Sequence, residues 1–363
     1  MYHSASEYKI GIISFTCSIL LALGLLLAGC TVAISPGGGS STGTGSSNSC
    51  QGNCTPGTGV QGVQVFVEPD AGAHVITDAI RSATKSVWVE MYLLTNRAVI
   101  NALEDAVNRQ VDVRVMLEPH PFGGGSVSPT ETMDRLRAAG IQVKTTNPSF
   151  ALTHEKGMII DNSTVYIMTA NFTASALGGS SSVQNREYGI IDSNPQDVQA
   201  VDDIFNADWN RTDVQLNDPN LIVSPINSRS DFTSLINSAH NTLLIEAEEM
   251  QDSAIEQAIA SAAQHGVHVQ VILPAPKGSS GDSNSQGIAA IKQGGVQVSE
   301  DPRLYMHAKI IVVDGKEAFV GSENISTRSL DQNRELGILV SDQNVLNTLQ
   351  QTFQSDWGDS QSV

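Results

Sequence analysis

His154-Glu155-Lys156-Gly157-Met158-Ile159-Ile160-Asp161, followed by Val165-Tyr166-Ile167-Met168-Thr169-Ala170-Asn171, returns later in the chain as a near copy. The second version is His307-Ala308-Lys309-Ile310-Ile311-Val312-Val313-Asp314, then Ala318-Phe319-Val320-Gly321-Ser322-Glu323-Asn324. His to Lys is two positions in both, and His to Asn is 17 in both. The apolar, β-branched runs between these polar residues predict a pair of short strands in each copy. Side chains alternate along a strand, so His and Lys share a face and Asn returns on the neighbouring strand. Asp161 precedes Asn162 and Asp314 precedes Gly315, which marks each Asp as a turn residue supporting the site from behind.

The duplication extends outward from this stretch. Val87-Trp88-Val89-Glu90-Met91 is echoed by Leu243-Leu244-Ile245-Glu246-Ala247, and Asn185-Arg186-Glu187 by Asn333-Arg334-Glu335. Phe205 to Trp209 returns as Phe353 to Trp357, a helical spacing that reads as core packing. The echoes are collinear, with an offset that falls only from 156 to 148, so the body is an internal repeat. Strands alternate with helices whose apolar residues recur at Val99, Leu103, Val107 and at Ile255, Ile259, Ala262. The expectation is α/β: two tandem α/β/α sandwich domains with mixed sheets, related by a pseudo-twofold, at 63–212 and 213–363.

Two His, two Lys and two Asn converging on one point form a phosphodiester-cleaving set. Fixed Lys and Asn donors stabilise the charge that develops on phosphoryl oxygens. A neutral imidazole can attack phosphorus while a second, protonated one donates to the leaving oxygen, and one histidine cannot do both at once. His74, His120, His240, His265 and His268 lack such partners and read as surface or structural. Glu155 and Glu323 alternate away from the shared face and read as structural too.

The doubled H-x-K-x4-D with G-S-x-N resembles the signature of the phospholipase D superfamily, over essentially all of residues 63–363. That resemblance implies phospholipase D-like domains and a cofactor-free, metal-independent phosphohistidine mechanism. His154 would be the nucleophile and His307 the acid and later the base, although pseudo-symmetry leaves the reverse assignment open. The resemblance further implies that Lys156, Lys309, Asn171 and Asn324 hold the phosphate, with Thr169 and Ser322 adding hydroxyls. Glu187 and Glu335 would hydrogen-bond the far nitrogen of each imidazole and fix its tautomer. The first copy departs from the family at Met168-Thr169, which stands where the pattern has Gly-Ser.

Ahead of the body, Ile10 to Leu27 is apolar and ends in Leu27-Ala28-Gly29-Cys30, which resembles the lipobox of bacterial lipoproteins. That reading makes 1–30 a signal peptide, lipidates Cys30 and places the protein outside the cytoplasm on a membrane; an uncleaved membrane helix is the alternative. Residues 31–62 are crowded with Gly, Ser and Thr and read as a flexible tether. Cys50 and Cys54 lie within it, spaced for a small disulfide loop in an exported protein, with metal binding the weaker reading.

The chain of 363 residues carries 38 acidic against 20 basic side chains, a net charge of −18. Such a body lacks the basic face that non-specific duplex binding needs, so a nucleic-acid partner is disfavoured. The first-ranked expectation is therefore hydrolysis of a glycerophospholipid at a membrane surface to phosphatidate and a head-group alcohol. Water or an alcohol would be the acceptor, and the protein would act as a monomer because one chain holds both motifs. A secreted nuclease, a cardiolipin-synthase-like phosphatidyl transfer and an inactive phosphate binder rank below it.

Overall fold

Central strands buried on both faces organise the molecule. The computed structural model describes residues 59–122, 128–276 and 282–363. Cys30, Cys50 and Cys54, with the expected signal peptide and most of the tether, lie outside the described residues.

The first half runs β1 (Gln64–Glu68), α1 (His74–Ser82), β2 (Ser86–Met91), α2 (Arg97–Asn108), β3 (Asp112–Leu117), α3 (Pro129–Ala138), β4 (Gln142–Thr145), β5 (Lys156–Ile160), β6 (Thr164–Met168), β7 (Asn185–Asp192) and α4 (Pro195–Asn210). The second runs β8 (Leu221–Ser224), α5 (Ser228–Asn237), β9 (Thr242–Ala247), β10 (Met250–Gln251), α6 (Ser253–Gln264), β11 (His268–Pro274), α7 (Ser285–Gln293), β12 (Gln297–Asp301), β13 (Tyr305–Met306), β14 (Lys309–Val313), β15 (Glu317–Gly321), β16 (Ile325–Ser326), α8 (Thr327–Asp331), β17 (Glu335–Val340), α9 (Gln343–Asp359) and β18 (Gln361–Ser362). The sheet orders are β1-β7-β6-β5-β2-β3-β4 and β18-β12-β11-β9-β14-β15-β17-β8. Both are mixed: β2-β3-β4 and β9-β11-β12 are parallel, whereas β5 and β14 run antiparallel to their neighbours.

Alternation along these strands assigns each side chain to a layer. Ile159, Val165, Ile167, Ile310, Val312 and Val320 enter one core shared by the two sheets. Their neighbours Met158, Ile160, Tyr166 and Met168 face the outer layer with α1, α2 and α3. Ile311, Val313 and Phe319 face α5, α6 and α7. Helices α4 and α9 contribute Phe205 and Phe353 to the shared core, where Phe205 stacks on Trp209 and Phe353 on Trp357. The halves are thus welded along their inner sheet faces by continuous apolar burial, the dominant favourable term in folding.

Two short backbone pairings stitch the halves together. The segment before the second-half histidine, β13, pairs in parallel with first-half β7, Met306 opposite Arg186. Reciprocally, Thr153 bridges Arg334, and the His154 amide donates to the Arg334 carbonyl at 2.8 Å. Buried ion pairs follow the same exchange, Arg186 with Asp356 at 2.6 Å and Arg334 with Asp208 at 2.8 Å.

One boundary of the sequence reading needs correction. The end of the expected tether, Gly59 to Gly62, is docked against the second half. Val60 is 4% exposed, its amide donates to the Leu339 carbonyl, and the Gly62 amide donates to Asp342. A β-branched residue with a strand edge to pair against holds the chain there despite the surrounding glycines.

Candidate active site

Strands β5 and β14 begin with the two motif lysines, so each histidine stands just before a strand, where the chain crosses to the opposite half. Because Thr153 is registered on Arg334, His154 arrives beside Glu335; because Met306 is registered on Arg186, His307 arrives beside Glu187. The Nδ1 of His154 lies 2.9 Å from Glu335 and that of His307 lies 2.8 Å from Glu187. Each carboxylate therefore serves the histidine of the other half. Both rings, with Asn171 and Asn324, line one cavity of about 570 Å³.

The Asn-Arg-Glu echo resolves into three jobs. Along a strand, Asn and Glu share a face, and the Nδ2 of Asn185 donates to Glu187 at 2.9 Å while that of Asn333 donates to Glu335 at 3.1 Å. The intervening Arg faces the other way and makes the buried pair across the halves. Sequence reading singled out the two Glu; it assigned no role to Asn or Arg, although the tripeptide echo was the available signal.

Thr169 and Ser322 require a correction. They do not face the cavity: both are 0% exposed and sit behind the carboxylates. Thr169 donates to Glu187 at 2.6 Å and Ser322 to Glu335 at 2.7 Å, while each hydroxyl accepts the amide of Tyr188 or Leu336. They alternate away from the phosphate side, so they orient the carboxylates and do not grip phosphoryl oxygens. The Met168-Thr169 departure keeps this function because it needs only the hydroxyl.

Asp161 and Asp314 do not touch the imidazoles either. They sit at the far ends of β5 and β14, roughly 16 Å from the lysines at strand rise. Asp161 caps the amides of Thr84, Lys85 and Ser86, and Asp314 those of His240, Asn241 and Thr242. Asp161, Asn162, Asp314 and Gly315 all have positive φ, the conformation a tight hairpin turn demands.

The lysines are almost wholly buried, 1% and 2% exposed, with their ammonium groups against the lining residues Tyr92 and Glu248. Each ammonium donates to the carbonyl of its own motif histidine, and Lys309 also reaches Glu248 at 2.8 Å. Burial pulls the Lys156 ammonium down to about 7, against the pull of Glu335 and with added repulsion from Lys309. Burial likewise lowers the His154 imidazole, with Glu335 opposing. For Glu335, the positive field of His154 and Lys156 outweighs burial and holds the carboxyl below its usual range. An anionic phosphate entering the cavity would meet the Asn171 and Asn324 side chains that line it, whose Nδ2 groups are hydrogen-bond donors. Three buried carboxylates, Glu90, Glu155 and Asp208, also approach within 4.8 Å of one another behind the wall. Burial raises both Glu90 and Glu155 far above the usual carboxylate range, and Arg334 pairs Asp208, so protons and the guanidinium account for their charge.

Comparison with known proteins fits this geometry. A family model described as "Cardiolipin synthase, PLD-like domain" matches residues 76–209 and again 232–357. Cardiolipin synthase of Oceanobacillus iheyensis is 25% identical over 81% of this chain and 68% of its own length. Cardiolipin synthase A of Pseudomonas aeruginosa is 21% identical over 82% of this chain and 67% of its own. The solved phosphatidylserine synthase of Haemophilus influenzae superposes with a TM-score of 0.62 at 14% identity, covering 84% of this chain and 88% of that one. Polyphosphate kinase of Porphyromonas gingivalis gives 0.62 at 17% identity but is covered over only 46% of its length, so these two likenesses speak to the fold.

Proposed function

The chain belongs to the phospholipase D superfamily, within the family of cardiolipin synthase PLD-like domains, and from that premise we propose that it is a phosphatidyl transferase working through a phosphohistidine. The observation that carries the chemistry is the sharing of one cavity by His154 and His307, each tied at Nδ1 to the other half's glutamate. With Nδ1–H donated to a carboxylate, Nε2 is the nitrogen left to face phosphorus.

In the proposed first step, His154 Nε2 forms a bond to phosphorus as the bond from phosphorus to the head-group oxygen breaks. His307 gives its Nε2 proton to that departing oxygen. In the second step an incoming hydroxyl gives its proton to His307, its oxygen bonds to phosphorus, and the N–P bond breaks. Asn171, Asn324 and the two lysines stabilise the equatorial oxygens.

The relatives shift the expected acceptor. Sequence reading ranked hydrolysis first; the cardiolipin synthase relatives favour a lipid alcohol over water. The substrate class is then a glycerophospholipid, with a second one, such as phosphatidylglycerol, as acceptor. A lipidated Cys30 would place the site at a bilayer, an anchor that rests on the sequence alone; among the described residues no helix is long and apolar enough to cross a membrane. The two repeats at 63–212 and 213–363 are proposed as the domains that face each other across the cavity.

Purified full-length protein with phosphatidylglycerol vesicles in EDTA tests the reading. Cardiolipin and free glycerol are the expected products. Phosphatidate alone would assign water as the acceptor, and no turnover of lipid would overturn the reading.

A further inference from the structure

Strand register defines a pair of equivalent positions that the repeat does not conserve. Met91 lies opposite Lys156 and Ala247 opposite Lys309. The next residue, at the mouth of the cavity in each half, is Tyr92 in the first and Glu248 in the second. Tyr92 sets its ring edge-on against His154, centroids 4.6 Å apart, with the Lys156 ammonium 5.3 Å from the ring. Its hydroxyl is turned to the backbone of Phe122. Glu248 instead stands inside the polar cradle, 2.8 Å from Lys309 Nζ and 3.3 Å from His307 Nε2, and its other oxygen accepts from Tyr305 at 3.0 Å.

His307 thus has a carboxylate at each ring nitrogen, Glu187 at Nδ1 and Glu248 at Nε2. Both contacts are attractive only when both nitrogens carry protons. His154 has Glu335 at Nδ1, and among the described residues no carboxylate stands against its Nε2. We propose that Glu248 is the positioning residue that makes the pair unequal: it holds the His307 Nε2 proton at the cavity, so that His307 serves the departing and arriving oxygens while His154 attacks phosphorus. This rests on the phosphohistidine reading above and selects one of the two assignments that pseudo-symmetry leaves open. When substrate binds, the head-group oxygen replaces Glu248 as the acceptor of that proton, and Glu248 keeps its bond to Lys309.

Glu248 does not itself deliver the proton. Burial alone would raise its carboxyl, but His307 and Lys309 together outweigh it and hold the group ionised. The other titratable groups around His307 are Glu187 on β7, Tyr305 on β13, Lys309 on β14, Glu249 beside Glu248, and His154 across the cavity.

The test compares two leaving groups in the full-length protein. Phosphatidyl-4-nitrophenol releases an anion that needs no proton; phosphatidylglycerol releases an alkoxide that does. Glu248→Gln keeps the shape and an acceptor for Lys309 but removes the charge. Its loss of turnover on phosphatidylglycerol is expected to exceed its loss on the nitrophenyl ester by at least about tenfold, the lower range for general acid assistance. His307→Ala should retain a nitrophenolate burst and His154→Ala should lose it, with the acid-labile phosphoryl label on the His154 peptide of the wild type. Equal losses on both esters would mean that Glu248 is merely structural, and a label on His307 would reverse the roles; either result overturns the proposal. Absence of a burst from the wild type is a different failure, that of the phosphohistidine reading itself.

Discussion

Laid over each other, the two halves agree in what binds and differ in what surrounds it. Both supply His, Lys, Asn, an Asn-Arg-Glu strand and a capped hairpin. Behind the first motif, however, Glu155 joins Glu90 and Asp208 in a buried acidic group, whereas the second has apolar Ala308 and a Glu246 that accepts from the Tyr188 hydroxyl at 2.7 Å. At the cavity mouth an aromatic ring faces a carboxylate. Duplication preserves the frame that holds a phosphate from both sides, and substitution then gives each side its own protonation behaviour. A symmetric cage would bind; transfer needs one nitrogen without a proton and one with it.

The comparison breaks most severely at the histidines. His154→Ala and His307→Ala should each lower kcat on phosphatidylglycerol by about 10⁴-fold or more, yet only His307→Ala should recover substantially with an activated leaving group. The crossed carboxylates come next. Glu335→Gln and Glu187→Gln should each reduce kcat by about 10³-fold, as expected when an imidazole loses the partner fixing its tautomer, with circular dichroism unchanged. If the rings instead depended on carboxylates of their own halves, Glu187→Gln would behave like a lesion at His154, which peptide mapping of the trapped phosphoryl label distinguishes.

The reciprocal ion pairs should cost stability more than chemistry. Arg186→Met or Arg334→Met leaves Asp356 or Asp208 buried and unpaired, for a loss of about 3–5 kcal/mol in denaturant unfolding. The smallest effect concerns the acidic group. Burial raises Glu155 to about 8 from an ordinary 4.5, so between those values the folded state binds more protons than the unfolded chain and stability falls as pH rises. Glu155→Ala, which gives the first half the residue of the second, should therefore flatten the fall in Tm between pH 5 and pH 8, by roughly 3 °C for each 1 kcal/mol of linkage removed. An unchanged slope would mean that Glu155 does not titrate there.

Much of the site was legible because its signals are local. Spacing of two between His and Lys fixes a common strand face, and Asp before Asn or Gly marks a turn whatever surrounds it. Glu187 and Glu335 were visible through repetition, but their crossing was not, since no local pattern states which half a strand will pair with. Thr169 and Ser322 were placed on the wrong side because the residues after β6 and β15 continue the strand alternation and turn the hydroxyl away from phosphate. Glu248 escaped notice because the repeat highlights what is retained, and its importance lies in a mismatch. Edge strands β1 and β8 are short apolar runs, Val65-Phe66-Val67 and Leu221-Ile222-Val223, whose partners, like that of Val60, lie far away in sequence where no local pattern names them.

The stitch at Thr153 and Met306 has a consequence for how such a protein can be divided. Severed between Asn210 and Leu221, either fragment would carry a histidine whose orienting glutamate had departed with its sibling. Neither piece would possess even a fraction of the reaction, and function would reappear only on mixing, as a second-order event. What duplication joined in one polypeptide behaves as an obligate pair that happens to share a backbone.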